Sequence, residues 1–254
     1  MRTATQLKSS TTATQPLSER QLRDFHRIGW LYLPRQFDAD EVAAMRHCFE
    51  RLEQRAFELG RDAIDRGSRF VVESNRIHRV VWCGGAEPEL AAFGVDPRLT
   101  RPAAQLLGGR ELRQLINQAH FKLPGDGVSF PWHQDSRHRR YGTKEWNDVN
   151  GRGSYVQTVV AIDEMTEQNG PLRFLQGSAF DGHVEDRQFV QPSRCAVTMT
   201  MKPGDVVMFG PYVFHSSSPN FSDQPRRAFV NGYTLPGANL RRYPGCGLGR
   251  PIEV

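Results

Sequence analysis

Three positions carry side chains that could bind a first-row metal together: His133, Asp135 and His215. In an extended segment, residues two apart share a side, so His133 and Asp135 would present an imidazole and a carboxylate together. A second histidine from elsewhere completes a two-histidine, one-carboxylate set, which on Fe(II) leaves positions open for other ligands. Taken alone, a His-x-Asp pair is a weak signal, and a histidine among apolar residues is more often packing. His215, however, ends the apolar run Val206-Val207-Met208-Phe209-Gly210-Pro211-Tyr212-Val213-Phe214, launched by the turn Lys202-Pro203-Gly204-Asp205. After it come the turn-rich Ser216-Ser217-Ser218-Pro219-Asn220 and then the strand-like Arg226-Arg227-Ala228-Phe229-Val230-Asn231-Gly232-Tyr233. A returning strand that begins on arginine suits a metal-bound 2-oxoacid, because guanidinium pairs bidentately with a distal carboxylate. Ser217 shares the His215 face and could add a hydroxyl.

These residues need elements to hold them. Ser18 and Gln21 have the spacing of a capping box, Leu22, Phe25 and Ile28 form a short apolar stripe, and Gly29 stops the helix. A strand is expected at 30–33. Asp38 then caps a long helix with Val42, Met45, Phe49, Leu52, Ala56 and Leu59 at three- and four-residue steps. Short strands are expected at 69–73 and 78–82 around Ser74-Asn75, and helix over 87–108 broken at Asp96-Pro97. Beyond residue 111 the pattern changes to short strands (112–122, 155–162, 171–176, 196–201, 205–209, 211–217, 226–235) between Gly, Pro, Asn and Asp clusters. Such spacing favours a sandwich or barrel. The expected fold is mainly β with flanking helices: a double-stranded β-helix (jelly-roll, cupin-like) core with the N-terminal helices packed on it. Residues 1–16 read as a disordered leader, 17–235 as one domain and 236–254 as a loop or tail.

Composition excludes several classes. At 254 residues with 38% hydrophobic and 24% charged content, the chain suits a globular domain with a sizeable core. No apolar run approaches the roughly 20 residues of a membrane helix, and the polar, Thr/Ser-rich start lacks the apolar core of a secretory signal. Four widely spaced cysteines (Cys48, Cys83, Cys195, Cys246) without a Cys-x-x-Cys pair read as idle thiols of a cytoplasmic protein. The net charge is +5, yet only four of the 33 basic residues are lysine. The arginines are scattered among acids, which speaks for compositional bias and against a nucleic-acid partner.

The set His133-x-Asp135, His215, Ser217 and Arg226 resembles the phytanoyl-CoA dioxygenase family of Fe(II)/2-oxoglutarate-dependent oxygenases. So do the helix-strand-helix start, Phe121-Lys122-Leu123-Pro124-Gly125 before Trp132-His133-Gln134-Asp135, Asn169-Gly170-Pro171-Leu172 and Lys202-Pro203-Gly204-Asp205. The resemblance runs from about residue 17 to about 235. It implies that His133, Asp135 and His215 hold Fe(II), with 2-oxoglutarate and O2 as co-substrates. It also implies hydroxylation of an aliphatic C–H of a small molecule, with release of succinate and CO2. The family pattern has an arginine eleven residues after the second metal histidine, which selects Arg226 over Arg227 for the far carboxylate of 2-oxoglutarate. One departure is Gln176-Gly177-Ser178-Ala179, where the family often has Pro-Gly-Ser-His. Family halogenases carry a small residue in place of the carboxylate, so Asp135 favours hydroxylation.

Gln118 and Lys122 on the strand before the pair, and Thr158 on the strand after it, are further candidates for contact with 2-oxoglutarate. Arg137, Arg139 and Arg140 could receive an anionic substrate, and segment 73–85, with Arg76, His78 and Trp82, could cover the pocket. Three rival readings share the pattern: a catalytically silent jelly-roll that binds or scaffolds, an oxygenase acting on protein or nucleic acid, and a zinc hydrolase. Neither the substrate nor the oligomeric state is legible.

Overall fold

Two capped helices open the described chain. In the computed structural model, which describes residues 16–73, 75–185 and 195–254, helix α1 spans Glu19–Ile28. The Ser18 hydroxyl accepts from the Gln21 amide at 3.3 Å and the Gln21 side chain accepts from the Ser18 amide at 2.9 Å. Gly29 ends it at φ 93°, and a Cβ there would lie 2.3 Å from the Val213 side chain. Only glycine meets both demands. The Gly210 amide then donates to the Gly29 carbonyl at 2.9 Å, tying α1 to the segment that leads into His215. After β1 (Trp30–Leu33), Asp38 and Glu41 form a second capping box for α2 (Ala39–Leu59). The buried face of α2 is Val42, Met45, Cys48, Phe49, Leu52 and Ala56, each large apolar member contributing roughly 1.5–3 kcal/mol by leaving water. The expected leader lies almost wholly outside the described residues, as does Ser74 of the expected turn.

Strands β2 (Ala63–Asp65), β3 (Ser68–Glu73) and β4 (Arg76–Val81) precede helices α3 (Pro88–Phe93) and α4 (Pro97–Leu107), which part at Asp96 as expected. Then follow β5 (Glu111–Lys122), β6 (Phe130–His133), the short helix α5 (Asp135–His138), β7 (Tyr155–Ala161) and β8 (Leu172–Leu175). The chain continues through β9 (Ala196–Met199), β10 (Val206–Phe209), β11 (His215–Ser217), β12 (Arg226–Thr234) and β13 (Arg250–Glu253). A larger sheet runs β1-β10-β7-β12-β5-β4-β3-β2, with β13 also on β5, and a smaller one runs β6-β11-β8-β9; every pairing is antiparallel. This is the mainly β jelly-roll with packed helices that the sequence led us to expect.

Period-two alternation gives the larger sheet two different faces. Val156, Val160, Val206, Met208 and Phe229 join the helices in one apolar cluster. Their neighbours Tyr155, Val159, Val207, Phe209 and Val230 join Trp30 and Phe174 in a second cluster between the sheets. Residues 236–254 are not all loop. Strand β5 is longer than its neighbour β4, which covers only His120, Ala119 and Gln118 on that edge. Arg250–Glu253 takes the uncovered Glu111–Gln114 stretch, and an edge position tolerates Pro251. The expected strand over 211–217 shrinks to β11, because residues 210–214 form a turn stitched to neighbouring loops. No described helix is long and apolar enough to cross a membrane.

Candidate active site

The smaller sheet brings the distant histidines together. In the β6–β11 pairing His133 lies opposite His215, and their ring centroids are 4.2 Å apart. Between them in sequence, Gln134 is fully buried and acts as a clamp: its amide donates to the Tyr212 carbonyl at 2.6 Å and to the Gly182 carbonyl at 2.8 Å. The Ser136 amide donates to the Pro211 carbonyl at 3.0 Å. The loop that departs from the family pattern also supports the site. Ser178 is buried, and its hydroxyl accepts from the Phe214 amide at 2.9 Å, one residue before His215. The extended segment does not continue through Asp135 as anticipated. Asp135 is the first residue of α5, so its carboxylate approaches the histidines from a helical turn.

His133, Asp135 and His215 each offer a ligand atom, and these atoms lie within 4.8 Å of one another. The Nδ1 atoms of His133 and His215 face the carbonyls of Pro131 at 2.7 Å and Val213 at 3.0 Å. Protonated Nδ1 atoms donating there leave each Nε2 lone pair to face the cluster. Burial pushes the His215 pKa down to about 4, which keeps its ring neutral and able to coordinate. Burial pulls the Asp135 carboxyl upward, but the His215 ring, the Arg139 guanidinium and the His133 ring outweigh it and hold the group below its usual value. Asp135 Oδ2 is buried and has no hydrogen-bond partner among the described residues. An orphaned carboxylate oxygen beside two imidazole nitrogens fits one divalent metal ion.

A cationic end lies next to this cluster. Arg226 begins β12, is 4% exposed, and donates from Nη2 to the Gly170 carbonyl at 2.6 Å. Its Nε has no partner among the described residues, and burial pulls its pKa down to about 10. Lys122 stands opposite Arg226 in the β12–β5 register and donates to the Ser217 hydroxyl at 2.7 Å and to the Ser218 carbonyl. Burial, and then the Arg226 charge, bring Lys122 down to about 6.

The cluster opens into a cavity of about 370 Å³ between the two sheets. Gln118, Ser217, Arg226 and Arg139 line it with the three metal-type residues. Thr158 does not. Strand register turns it toward the helices, where its hydroxyl meets the Asn231 carbonyl at 3.5 Å, and presents Gln157 and Val159 instead. Arg76 and His78 line a separate surface depression, and Arg76 donates to the Pro124 carbonyl at 3.1 Å. Trp82 packs at Gly245, away from the cavity. Arg137 and Arg140 line a neighbouring depression, with Arg140 3.9 Å from Glu145. Of the three arginines after the pair, Arg139 alone reaches the cavity, because one helical turn separates it from Asp135. Within the 73–85 segment it is Arg79 and Val81 that reach the cavity; His120, Gln157, Arg241 and Tyr243 also line it and were not anticipated. Gln157 differs from Thr158 only in which face of β7 it takes; Arg241 and Tyr243, in the supposed tail, carried no signal.

A jelly-roll that gathers two histidines and one carboxylate at one end of its inter-sheet cavity defines a class, the mononuclear non-heme iron oxygenases. The profile described as Phytanoyl-CoA dioxygenase (PhyH) matches residues 25–228. The chain belongs to that family, and it is a 2-oxoglutarate-dependent dioxygenase that uses Fe(II) and O2. It is 27% identical to the L-proline trans-4-hydroxylase of Streptomyces griseoviridis, over 87% of this chain and 88% of that protein. It is also 27% identical to the ectoine dioxygenase of Sphingopyxis alaskensis, over 96% of this chain and 84% of that one. The crystal structure of EctD from S. alaskensis with 2-oxoglutarate and 5-hydroxyectoine is similar at a TM-score of 0.74 and 27% identity, across 94% of this chain and 83% of that one. The carbocyclase SnoK of nogalamycin biosynthesis, 20% identical, shares the fold at a TM-score of 0.67, covering 86% of this chain and 84% of that one.

Proposed function

We propose that this enzyme hydroxylates an aliphatic C–H of a small molecule inside the inter-sheet cavity, with His133, Asp135 and His215 as the iron ligands. The observation that carries the reading is the convergence of three ligand atoms within 4.8 Å beside a cavity that also contains Arg226. When bound, iron and 2-oxoglutarate supply the oxidising power of dioxygen, with succinate and CO2 as by-products. The chain's own residues do the positioning. Nδ1 contacts to backbone carbonyls fix the two imidazoles, and Gln134 and Ser136 lock the strand carrying His133 to the segment before His215. Arg226, oriented by the Gly170 carbonyl, receives the far carboxylate of 2-oxoglutarate, and Lys122 with Ser217 flanks it. Leu172, Phe209, Val159, Ala228 and Val230 line the cavity with apolar surface, which keeps water from the reacting C–H.

The relatives named for L-proline and ectoine support a small amino-acid-like substrate, and a cavity of about 370 Å³ suits one better than a polymer. The four cysteines are free thiols, as a reducing cytoplasm favours. The test is a panel of small cyclic and acyclic amino acids, scored by substrate-stimulated succinate release and by mass gain of one oxygen atom. Activity should require Fe(II) and O2 and be lost in Asp135→Ala. Undiminished hydroxylation in that variant would overturn the ligand assignment.

A further inference from the structure

Several arginines among the described residues are held by a carboxylate. Buried Arg227 meets Asp163 at 2.7 and 2.9 Å, and the half-buried Arg98 and Arg46 meet Glu41 at 2.6 Å and Asp163 at 3.3 Å. Arg139 is not held in this way. It is 7% exposed, lies in the cavity wall, and makes no salt bridge to any described residue. Its guanidinium carbon lies 4.9 Å from the ring centre of Tyr155 and 5.4 Å from that of Tyr243, and its two Nη atoms donate at 3.2 Å to the two phenol oxygens. Neutral phenols add no negative charge, Arg139 Nε has no partner among the described residues, and the one carboxylate whose field reaches the guanidinium, Asp135, belongs to the metal-type cluster and makes no ion pair with it. A buried cation without an ion-paired counter-charge is costly, and an incoming anion would offset that cost.

Charges around the cavity sharpen this. Four arginines (Arg79, Arg139, Arg226, Arg241) line it against one carboxylate, Asp135. The metal's two positive charges and the two negative charges of 2-oxoglutarate cancel, so the lining keeps a positive excess of three. Arg241 has no salt bridge to a described residue either, and its guanidinium carbon lies 5.3 Å from the Tyr243 ring that Arg139 also flanks. Two guanidinium groups therefore share one aromatic ring at one end of the cavity. Gln157 completes the end. Its Oε1 accepts from the Tyr155 hydroxyl at 2.7 Å, which leaves its amide N–H groups as donors toward the cavity.

We infer that the substrate carries a carboxylate, received by Arg139 with Gln157 and Arg241 beside it, while the C–H to be oxidised lies toward His133, Asp135 and His215. The inference rests on the proposed function and names its substrate class. Carboxylate is favoured over phosphate or a thioester nucleotide for two reasons. The Arg139 Nη atoms are already engaged, which leaves a narrow set of donors suited to a small planar anion. The cavity must also admit 2-oxoglutarate, and about 370 Å³ is at the small end for ligand sites. Tyr155 and Tyr243 act as positioning residues that hold the guanidinium flat against the cavity wall.

The test uses the full chain loaded with Fe(II) and 2-oxoglutarate under nitrogen, with L-proline, L-pipecolic acid and the primary amide of each as probes. Binding is read by calorimetry, and the visible band of the iron–2-oxoglutarate chelate reports that the centre is intact. At least one acid should bind, with its amide weaker by at least about tenfold, the loss expected for a charge-assisted contact. Arg139→Gln should erase the difference between acid and amide while keeping the chelate band, and Arg241→Gln, at a half-buried position, should reduce it. If Arg139→Gln does not fold, Arg139→Lys and Arg241→Gln carry the comparison. Amides that bind as well as acids, a preference that survives in the variants, or binding of neither acid would overturn the inference. A wild-type protein without the chelate band would instead overturn the proposed function beneath it.

Discussion

Replacing Arg226 with glutamine should weaken 2-oxoglutarate binding by about 30- to 150-fold. The guanidinium is 4% exposed, so a carboxylate bound to it is desolvated, and truncating one partner of such a pair costs about 2–5 kcal/mol. Two features hold the expectation at the lower end of that range, about 2–3 kcal/mol. One Nη is already spent on the Gly170 carbonyl, and the Lys122 amino group, next to it in the pairing register, remains as a second hydrogen-bond donor. Folding should suffer little, because burial already pulls the Arg226 pKa down to about 10 and the variant removes that strained charge along with one hydrogen bond. The assay is calorimetric titration of 2-oxoglutarate into the Fe(II)-loaded protein under nitrogen, beside a thermal melt of the apoprotein. A change in affinity below threefold, or an equal loss of iron and 2-oxoglutarate binding, would refute the assignment of Arg226 to the far carboxylate.

Three further outcomes follow from neighbouring features. Lys122 has its pKa lowered to about 6 from 10.5, so between those values the unfolded chain holds a proton that the folded chain has released, and stability rises with pH across that window. Lys122→Met should remove that part of the slope in denaturant melts of the apoprotein at pH 6.5 and 9; an unchanged slope would contradict it. Gly170 sits at φ 72° with a would-be Cβ 2.2 Å from the Ser218 carbonyl oxygen, so Gly170→Ala should cost about 1–3 kcal/mol from the backbone alone and also weaken 2-oxoglutarate binding through Arg226. An unshifted melt with unaltered 2-oxoglutarate affinity would count against it. Phe49 is fully buried with its ring 5.2 Å from that of Phe121, and Phe49→Ala should lose about 3–5 kcal/mol by chemical denaturation; a loss under 1 kcal/mol would show the core relaxing around the gap.

Local chemistry made the helices legible before any coordinates. Ser18 with Gln21, and Asp38 as a cap, are decided within four residues, and the stripe from Val42 to Ala56 needs only the helical period. The histidine pair was legible because turns and apolar runs bracketed it and an arginine followed at a fixed spacing. What escaped depends on register or on distant pairing. Thr158 misses the cavity that its neighbour Gln157 reaches, because one step along a strand exchanges the faces and nothing local to β7 says which face looks inward. β13 forms only because β5 outruns β4, a fact about two other strands. Arg139 could not be separated from Arg137 and Arg140 while the stretch after His133 was treated as extended. Once Asp135 starts a helical turn, the fourth residue on returns to its side.

The most direct measurement is an anaerobic titration of Fe(II) into the apoprotein with excess 2-oxoglutarate, followed in the visible. Wild-type protein should develop the chelate band and saturate at one iron per chain, and His215→Ala should show no band at the same concentrations. A wild-type protein without a band, or a band of full strength in His215→Ala, would contradict the assignment of His133, Asp135 and His215 as the metal-binding set.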